Sequence, residues 1–254
     1  MNETAGIAWY AHGSGGTPVV MLHSLGCDAS MWRGVTDPLA ENRRVITVDT
    51  RGHGASTDAG GPYTVDQLGE DVVAVADAAG LDEFDVVGLS LGGLMALWLA
   101  CRHPQRIRRL VACATADKIG TEANWQARID TIRRDGLDSV APMVLGRFFS
   151  PRFRETQPDA IEAARATLVT TSVDGYTGCC HALGHADLRS ETPSIRARTL
   201  LLAGGADVST PPRLMREVSE RIPGSRYAEL PEAGHLLSIE DPDETLHAIR
   251  THLD

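Results

Sequence analysis

The chain has 254 residues, 43% of them hydrophobic, and a formal net charge of −10. That length suits one domain with a sizeable core, and an acidic balance spread along the chain argues against nucleic-acid binding. No apolar run approaches the ~20 residues a bilayer needs, Met1-Asn2-Glu3-Thr4 lacks the basic and apolar regions of a secretory signal, and five cysteines without C-x-x-C spacing read as reduced thiols, which predicts a soluble, cytoplasmic protein.

In chain order, the first buried strand is Val19-Val20-Met21-Leu22, followed by the small-residue loop His23-Ser24-Leu25-Gly26. Val45 to Val48 is the next, closed by Asp49-Thr50-Arg51-Gly52-His53-Gly54. That turn has neither Walker nor G-x-G-x-x-G spacing, so it does not read as a phosphate site. Thr64-Val65-Asp66-Gln67 has capping-box spacing and opens a helix that runs to Ala79 and stops at Gly80. Phe84 to Val87 is a strand, Leu94 to Leu99 an apolar helix, and Leu110 to Ala112 another strand. Residues 116–198 then carry four helical patterns (123–134, 137–149, 159–170 and 176–183) and no core strand. The strands Leu200 to Ala203 and Arg226 to Leu230 follow, and Asp241-Pro242-Asp243-Glu244 starts a final helix. Continuous apolar strands alternating with helices predict an α/β fold with a doubly wound, mostly parallel sheet. A single crossover needs only one helix, so the four between the fourth and fifth predicted strands predict a lid over one end of the sheet.

The chemistry centres on Gly88-Leu89-Ser90-Leu91-Gly92. A serine between a strand and a helix is forced into a tight, strained turn that lifts its hydroxyl to the positive end of the helix. Positions two before and two after it crowd each other, and both are glycine here. A serine hydroxyl needs a base, itself oriented by an acid. Asp207 lies in a turn just past Leu200–Ala203, and His235 in the loop after Leu230, the order this architecture requires. The assignment is therefore Ser90 as nucleophile, His235 as base and Asp207 as orienting acid, with Asp117 as the fallback acid. Oxyanion donors are expected at the backbone N–H of Leu91 and of Leu25. His23, directly after a buried strand, reads as a structural hydrogen bonder. Cys179, Cys180, His181, His185 and Asp187 have spacing that could hold a metal, but no second ligand pair accompanies them, so they read as polar residues of a lid helix and no metal is assigned.

These residues identify the chain as resembling the α/β-hydrolase superfamily over essentially its full length. More narrowly it is similar to the 3-oxoadipate enol-lactonases, cofactor-free hydrolases of aromatic catabolism. The stretches that carry this are Ser24-Leu25-Gly26 with Met31-Trp32, Asp49 to Gly54, Gly61-Pro62-Tyr63-Thr64, Gly88 to Gly93, Gly175-Tyr176-Thr177-Gly178-Cys179-Cys180, and Asp207 with Thr210-Pro211-Pro212. The resemblance implies an α/β-hydrolase core in residues 1–116 and 196–254, a helical cap in 117–195, and triad roles for Ser90, Asp207 and His235. It also implies a small lactone or ester as the partner, with Trp125 and Arg128 of the cap as substrate contacts; a carboxylated substrate needs a cation in the cap, for which Arg128 comes first and Arg133, Arg147 and Arg189 behind it. Gly184-His185 stands where such lactonases carry Arg-Asp, which keeps a different lactone or ester in view. The competing readings are a general carboxylesterase, a C–C hydrolase of ring-cleavage products, and a ligand receptor that retains the triad. Oligomeric state is left open.

Overall fold

One eight-stranded sheet organises the computed structural model, which describes residues 1–254. The strands are β1 (Asn2–Thr4), β2 (Ile7–His12), β3 (Val19–Leu22), β4 (Val45–Val48), β5 (Phe84–Leu89), β6 (Ile107–Cys113), β7 (Arg198–Gly204) and β8 (Arg226–Leu230). Their spatial order is β1-β2-β4-β3-β5-β6-β7-β8, antiparallel from β1 to β4 and parallel from there to β8. Every residue of β3, β4 and β5 is buried, as apolar strands covered on both faces must be.

Helices cover both faces. On one, α1 (Arg33–Leu39) packs against the C-terminal α11 (Pro242–Leu253), which follows the four-residue α10 (Leu237–Glu240). On the other, α2 (Val65–Ala78) lies on α3 (Leu91–Arg102), and α9 (Pro212–Arg221) covers β7 and β8. The start of α2 is the expected box: Gln67 N–H donates to Thr64 Oγ1 at 3.2 Å, and Thr64 N–H to Gln67 Oε1 at 3.0 Å. Gly80, at φ +69°, ends it. Asp241 caps α11 by accepting the Glu244 N–H at 3.2 Å. No helix is long and apolar enough to cross a membrane, and all five cysteines are unpaired.

Two features depart from the expectation. The β1–β2 hairpin has no counterpart in the predicted elements, because its turn is Ala5-Gly6 at φ 51° and 82°. Such turns are ordinarily announced by Asn-Gly or Asp-Gly. Between β6 and β7 there are also five α-helices rather than four: α4 (Glu122–Asp135), α5 (Ala141–Phe148), α6 (Pro151–Thr156), α7 (Pro158–Thr170) and α8 (Val173–His185). The extra one is α6, a short helix with Pro151 in its first turn and the Ser150 hydroxyl accepting the Phe153 N–H. Its sequence has no apolar periodicity, which is why it reads as a connector.

Candidate active site

β5 ends at Leu89 and α3 begins at Leu91, so Ser90 alone makes the turn. It sits at φ 58°, ψ −113°, a conformation that costs a non-glycine residue about 1–3 kcal/mol and persists only when its surroundings impose it. Those surroundings are hydrogen bonds: Ser90 N–H donates to Cys113 O at 2.9 Å, while Ser90 O accepts the Leu94 N–H at 2.9 Å and the Thr115 hydroxyl at 2.7 Å. The flanking glycines are sterically compulsory. A Cβ on Gly88 would overlap Gly92 O, and one on Gly92 would overlap Leu22 O at the end of β3.

Behind this turn, His235 Nδ1 lies 2.8 Å from Asp207 Oδ2, with both side chains essentially buried. The Thr210 hydroxyl donates to the same Oδ2 at 2.7 Å, and Oδ1 accepts the N–H groups of Ser209 at 2.6 Å and Thr210 at 3.1 Å. Burial alone would raise the Asp207 carboxyl. The charge and hydrogen bond of His235 and the Thr210 donors outweigh it and hold the group below the usual carboxylate range. An acceptor at Nδ1 keeps the proton there and leaves Nε2 as the free lone pair. The cap holds the histidine loop as well. Phe148 O, at the end of α5, accepts the N–H of His235 at 3.0 Å and of Leu236 at 3.1 Å. The Glu240 carboxylate then joins Gly234 N–H at 3.0 Å to the Ser150 N–H and hydroxyl, at 3.0 and 2.7 Å.

The two alternatives weighed in the sequence are placed elsewhere. Asp117 is paired with Arg221 at 3.1 Å and accepts the Thr192 hydroxyl at 3.3 Å, tying the start of the cap to α9. The His23 ring is fully engaged, donating from Nδ1 to Ser24 O at 2.7 Å and accepting the Thr50 N–H at Nε2, 2.8 Å away. It rivets the Ser24–Gly26 loop to the turn after β4.

Ser90, His235, Leu25, Trp125 and Arg128 face a single cavity of about 120 Å³ under α4, α5 and α8. No carboxylate lines it, whereas two arginines, Arg128 and Arg147, do. Arg128 lies over the Trp125 ring, 4.7 Å from its centroid, and 3.6 Å from Met143 Sδ; Arg147 reaches only Val208 O, at 3.5 Å. Arg133 and Arg189 are instead occupied, by Asp174 at 3.8 Å and Asp187 at 2.6 Å. Neither the Leu25 nor the Leu91 N–H donates to any protein acceptor, so both remain available next to Ser90.

The segment from residue 17 to residue 242 matches the alpha/beta hydrolase fold family. The chain belongs to that family. Among this hydrolase's relatives, 3-oxoadipate enol-lactonase 2 of Acinetobacter baylyi is 37% identical over 91% of this chain and 86% of its own length. A second lactonase of that organism, 3-oxoadipate enol-lactonase 1, is 34% identical over 89% and 84%. The crystal structure of the enol-lactonase from Burkholderia xenovorans superposes with a TM-score of 0.96 at 35% identity, covering 98% of both chains.

Several residues of this hydrolase's site have no signature in the sequence. Phe148 acts through its backbone carbonyl, and Glu240 through a carboxylate that ties Ser150 to Gly234, all of them contacts between distant segments. Ser24 and Tyr176 line the cavity, and no protein group accepts the proton of either buried hydroxyl. Tyr176 lies within the quoted Gly175–Cys180 stretch, yet its direction depends on how α8 is rotated. The histidine pair of α8 does not converge with Cys179, Cys180 or Asp187. His181 and His185 stack with centroids 4.0 Å apart and turn their Nδ1 atoms to Tyr63 O and His181 O, each at 3.0 Å. Asp187 is held by Arg189 and Lys118.

Proposed function

We propose that this hydrolase opens a small anionic lactone of the 3-oxoadipate enol-lactone type. The observation that carries this reading is a serine on a strained turn and a carboxylate-held histidine sharing a small cavity whose charged wall is made of unpaired arginines. In the reading, Ser90 Oγ attacks the lactone carbonyl carbon while His235 Nε2 takes its proton. The oxyanion is stabilised by the N–H groups of Leu25 and Leu91. The tetrahedral intermediate collapses with cleavage of the ring C–O bond. His235 returns the proton to the departing enol oxygen, which is less basic than an alkoxide and so leaves readily. The leaving group stays tethered to the acyl chain, so the cavity holds the whole opened product. Water, deprotonated by His235, then attacks the acyl carbon, and the Ser90 Oγ–acyl bond breaks as Ser90 regains its proton. No cofactor enters any step. Residues 117–195 act as the cap that closes the cavity and supplies its cations.

The charge on that wall gives the test. Arg128→Ala should raise KM for an anionic lactone about tenfold, the scale of one charge-assisted hydrogen bond at a half-buried site. The rise for a neutral ester such as p-nitrophenyl acetate should be much smaller, because a lost ground-state contact appears in KM. Equal effects on the two substrates, or a wild-type preference for the neutral ester, would reject the anionic lactone in favour of a general esterase.

A pH profile follows from the same arrangement. His235 must be neutral to accept the serine proton, so kcat/KM falls as pH drops. Asp207, held below the usual carboxylate range, keeps its charge across that limb; its stabilising contribution is present above the unfolded pKa and lost only as pH falls through the lower folded value. Burial pushes His23 down and His53 to about 3, so neither takes up a proton there. The acid limb of log(kcat/KM) should therefore have unit slope. A slope of two would mean that a second group must also be deprotonated, and would count against this assignment.

A further inference from the structure

Tyr176 is fully buried, and no protein group accepts its hydroxyl proton. A buried hydroxyl whose proton has no acceptor is costly and calls for an explanation. Its ring is well anchored, packed against Gly26 and stacked 6.4 Å from the His53 ring, so the hydroxyl is directed rather than loose. Tyr176 lies on the same cavity as Ser90, and the Arg128 guanidinium is its charged neighbour, placed to donate toward the phenol oxygen and leaving the phenol proton free. The other buried hydroxyl without a partner there is that of Ser24, which belongs to the loop after β3 on the core side. Tyr176 comes from the cap side, as Arg128 does.

We propose that the Tyr176 phenol and the Arg128 guanidinium together form a carboxylate-binding subsite, in which the phenol donates one hydrogen bond and the guanidinium supplies the opposite charge. This rests on the anionic-lactone reading for its substrate and extends it to a residue that selects acids over their neutral esters. The chemistry is consistent on both sides. Burial raises the phenol well above its ordinary pKa, so it remains protonated and can donate. A site built to give a hydrogen bond discriminates strongly against a ligand that cannot accept it in the same geometry. The cavity contains no carboxylate of its own to compete.

Tyr176→Phe removes the oxygen and keeps the ring that packs on Gly26 and His53. For a lactone bearing a free carboxylate, KM should rise at least tenfold, and the rise should exceed that for the methyl ester of the same lactone by a similar factor, with kcat little altered. Adipate, a six-carbon dicarboxylate, provides an arm that does not depend on lactone turnover. As a competitive inhibitor of p-nitrophenyl acetate hydrolysis, it should bind the wild type and lose at least tenfold in Ki in Tyr176→Phe. An unchanged adipate Ki, an equal KM effect on acid and methyl ester, or a loss confined to kcat would overturn the subsite. If no lactone is turned over but the adipate effect is present, the subsite stands and the lactonase reading falls. Lactone turnover with no Tyr176→Phe effect gives the converse.

Discussion

Ser90→Ala should lower kcat by a factor on the order of 10⁴–10⁶ and leave the fold intact, as should the loss of His235, because in the proposed mechanism they act as a unit with Asp207. The structure explains why the fold should survive. Ser90 is held by its backbone N–H and C=O, to Cys113, Leu94 and Thr115, and none of these bonds involves the hydroxyl. Alanine retains the strain of φ 58°, whereas glycine relieves it. Ser90→Gly should therefore be inactive and more stable than Ser90→Ala by about 1 kcal/mol, measurable by urea denaturation. Asp207→Asn should cost less, roughly 10²–10⁴ in kcat. Its Oδ1 accepts two backbone N–H groups, so the amide NH2 is forced toward His235 Nδ1 and Thr210 Oγ1, where it favours the wrong imidazole tautomer. A Ser90→Ala protein with more than a tenth of the wild-type rate would sink the mechanism.

Gly92→Ala should damage both stability and rate, although residue 92 does not line the cavity. Its Cβ would overlap Leu22 O and come within 2.8 Å of His23 O, both backbone atoms at the end of β3. Backbone cannot rotate aside as a side chain can, so α3 must move away from the sheet. Overpacking of this kind costs about 1–3 kcal/mol or more. The same displacement carries Leu91 and Ser90 away from Leu25, and a shift of about 1 Å at a reacting centre can cost 10²-fold in rate. Gly146→Ala is the control. It lies in α5, where the nearest atom to a new Cβ is a flexible Arg154 nitrogen 3.9 Å away, so it should be neutral or stabilising by up to about 1 kcal/mol. Thermal melts together with kcat/KM would check the pair. Equal behaviour of the two variants would show that the close approach at Gly92 is not what fixes the turn.

What could be read from the chain alone was local or ordinal. The Gly88-x-Ser90-x-Gly92 turn, the Thr64 capping box and the Asp241-Pro242 helix start depend on residues within a few positions of one another, so their spacing already contains their geometry. The same holds for the strand–helix alternation and for an aspartate and then a histidine at successive strand ends. Direction across the fold is a different matter. Asp117 and Asp207 both follow core strands and are both buried, and only the packing decides that α9 brings Arg221 beside the first while the loop after β8 brings His235 beside the second. Arg128 and Arg133 share α4, but five residues turn a helix through about 140° beyond a full circle, so one side chain faces the cavity and the other meets Asp174. Tyr176 is apolar in pattern and polar only at its tip. That its hydroxyl proton has no acceptor becomes visible once α8 is docked against α4 and the Gly26 loop, because an unsatisfied group is defined by every neighbour it lacks, and those neighbours come from the whole chain.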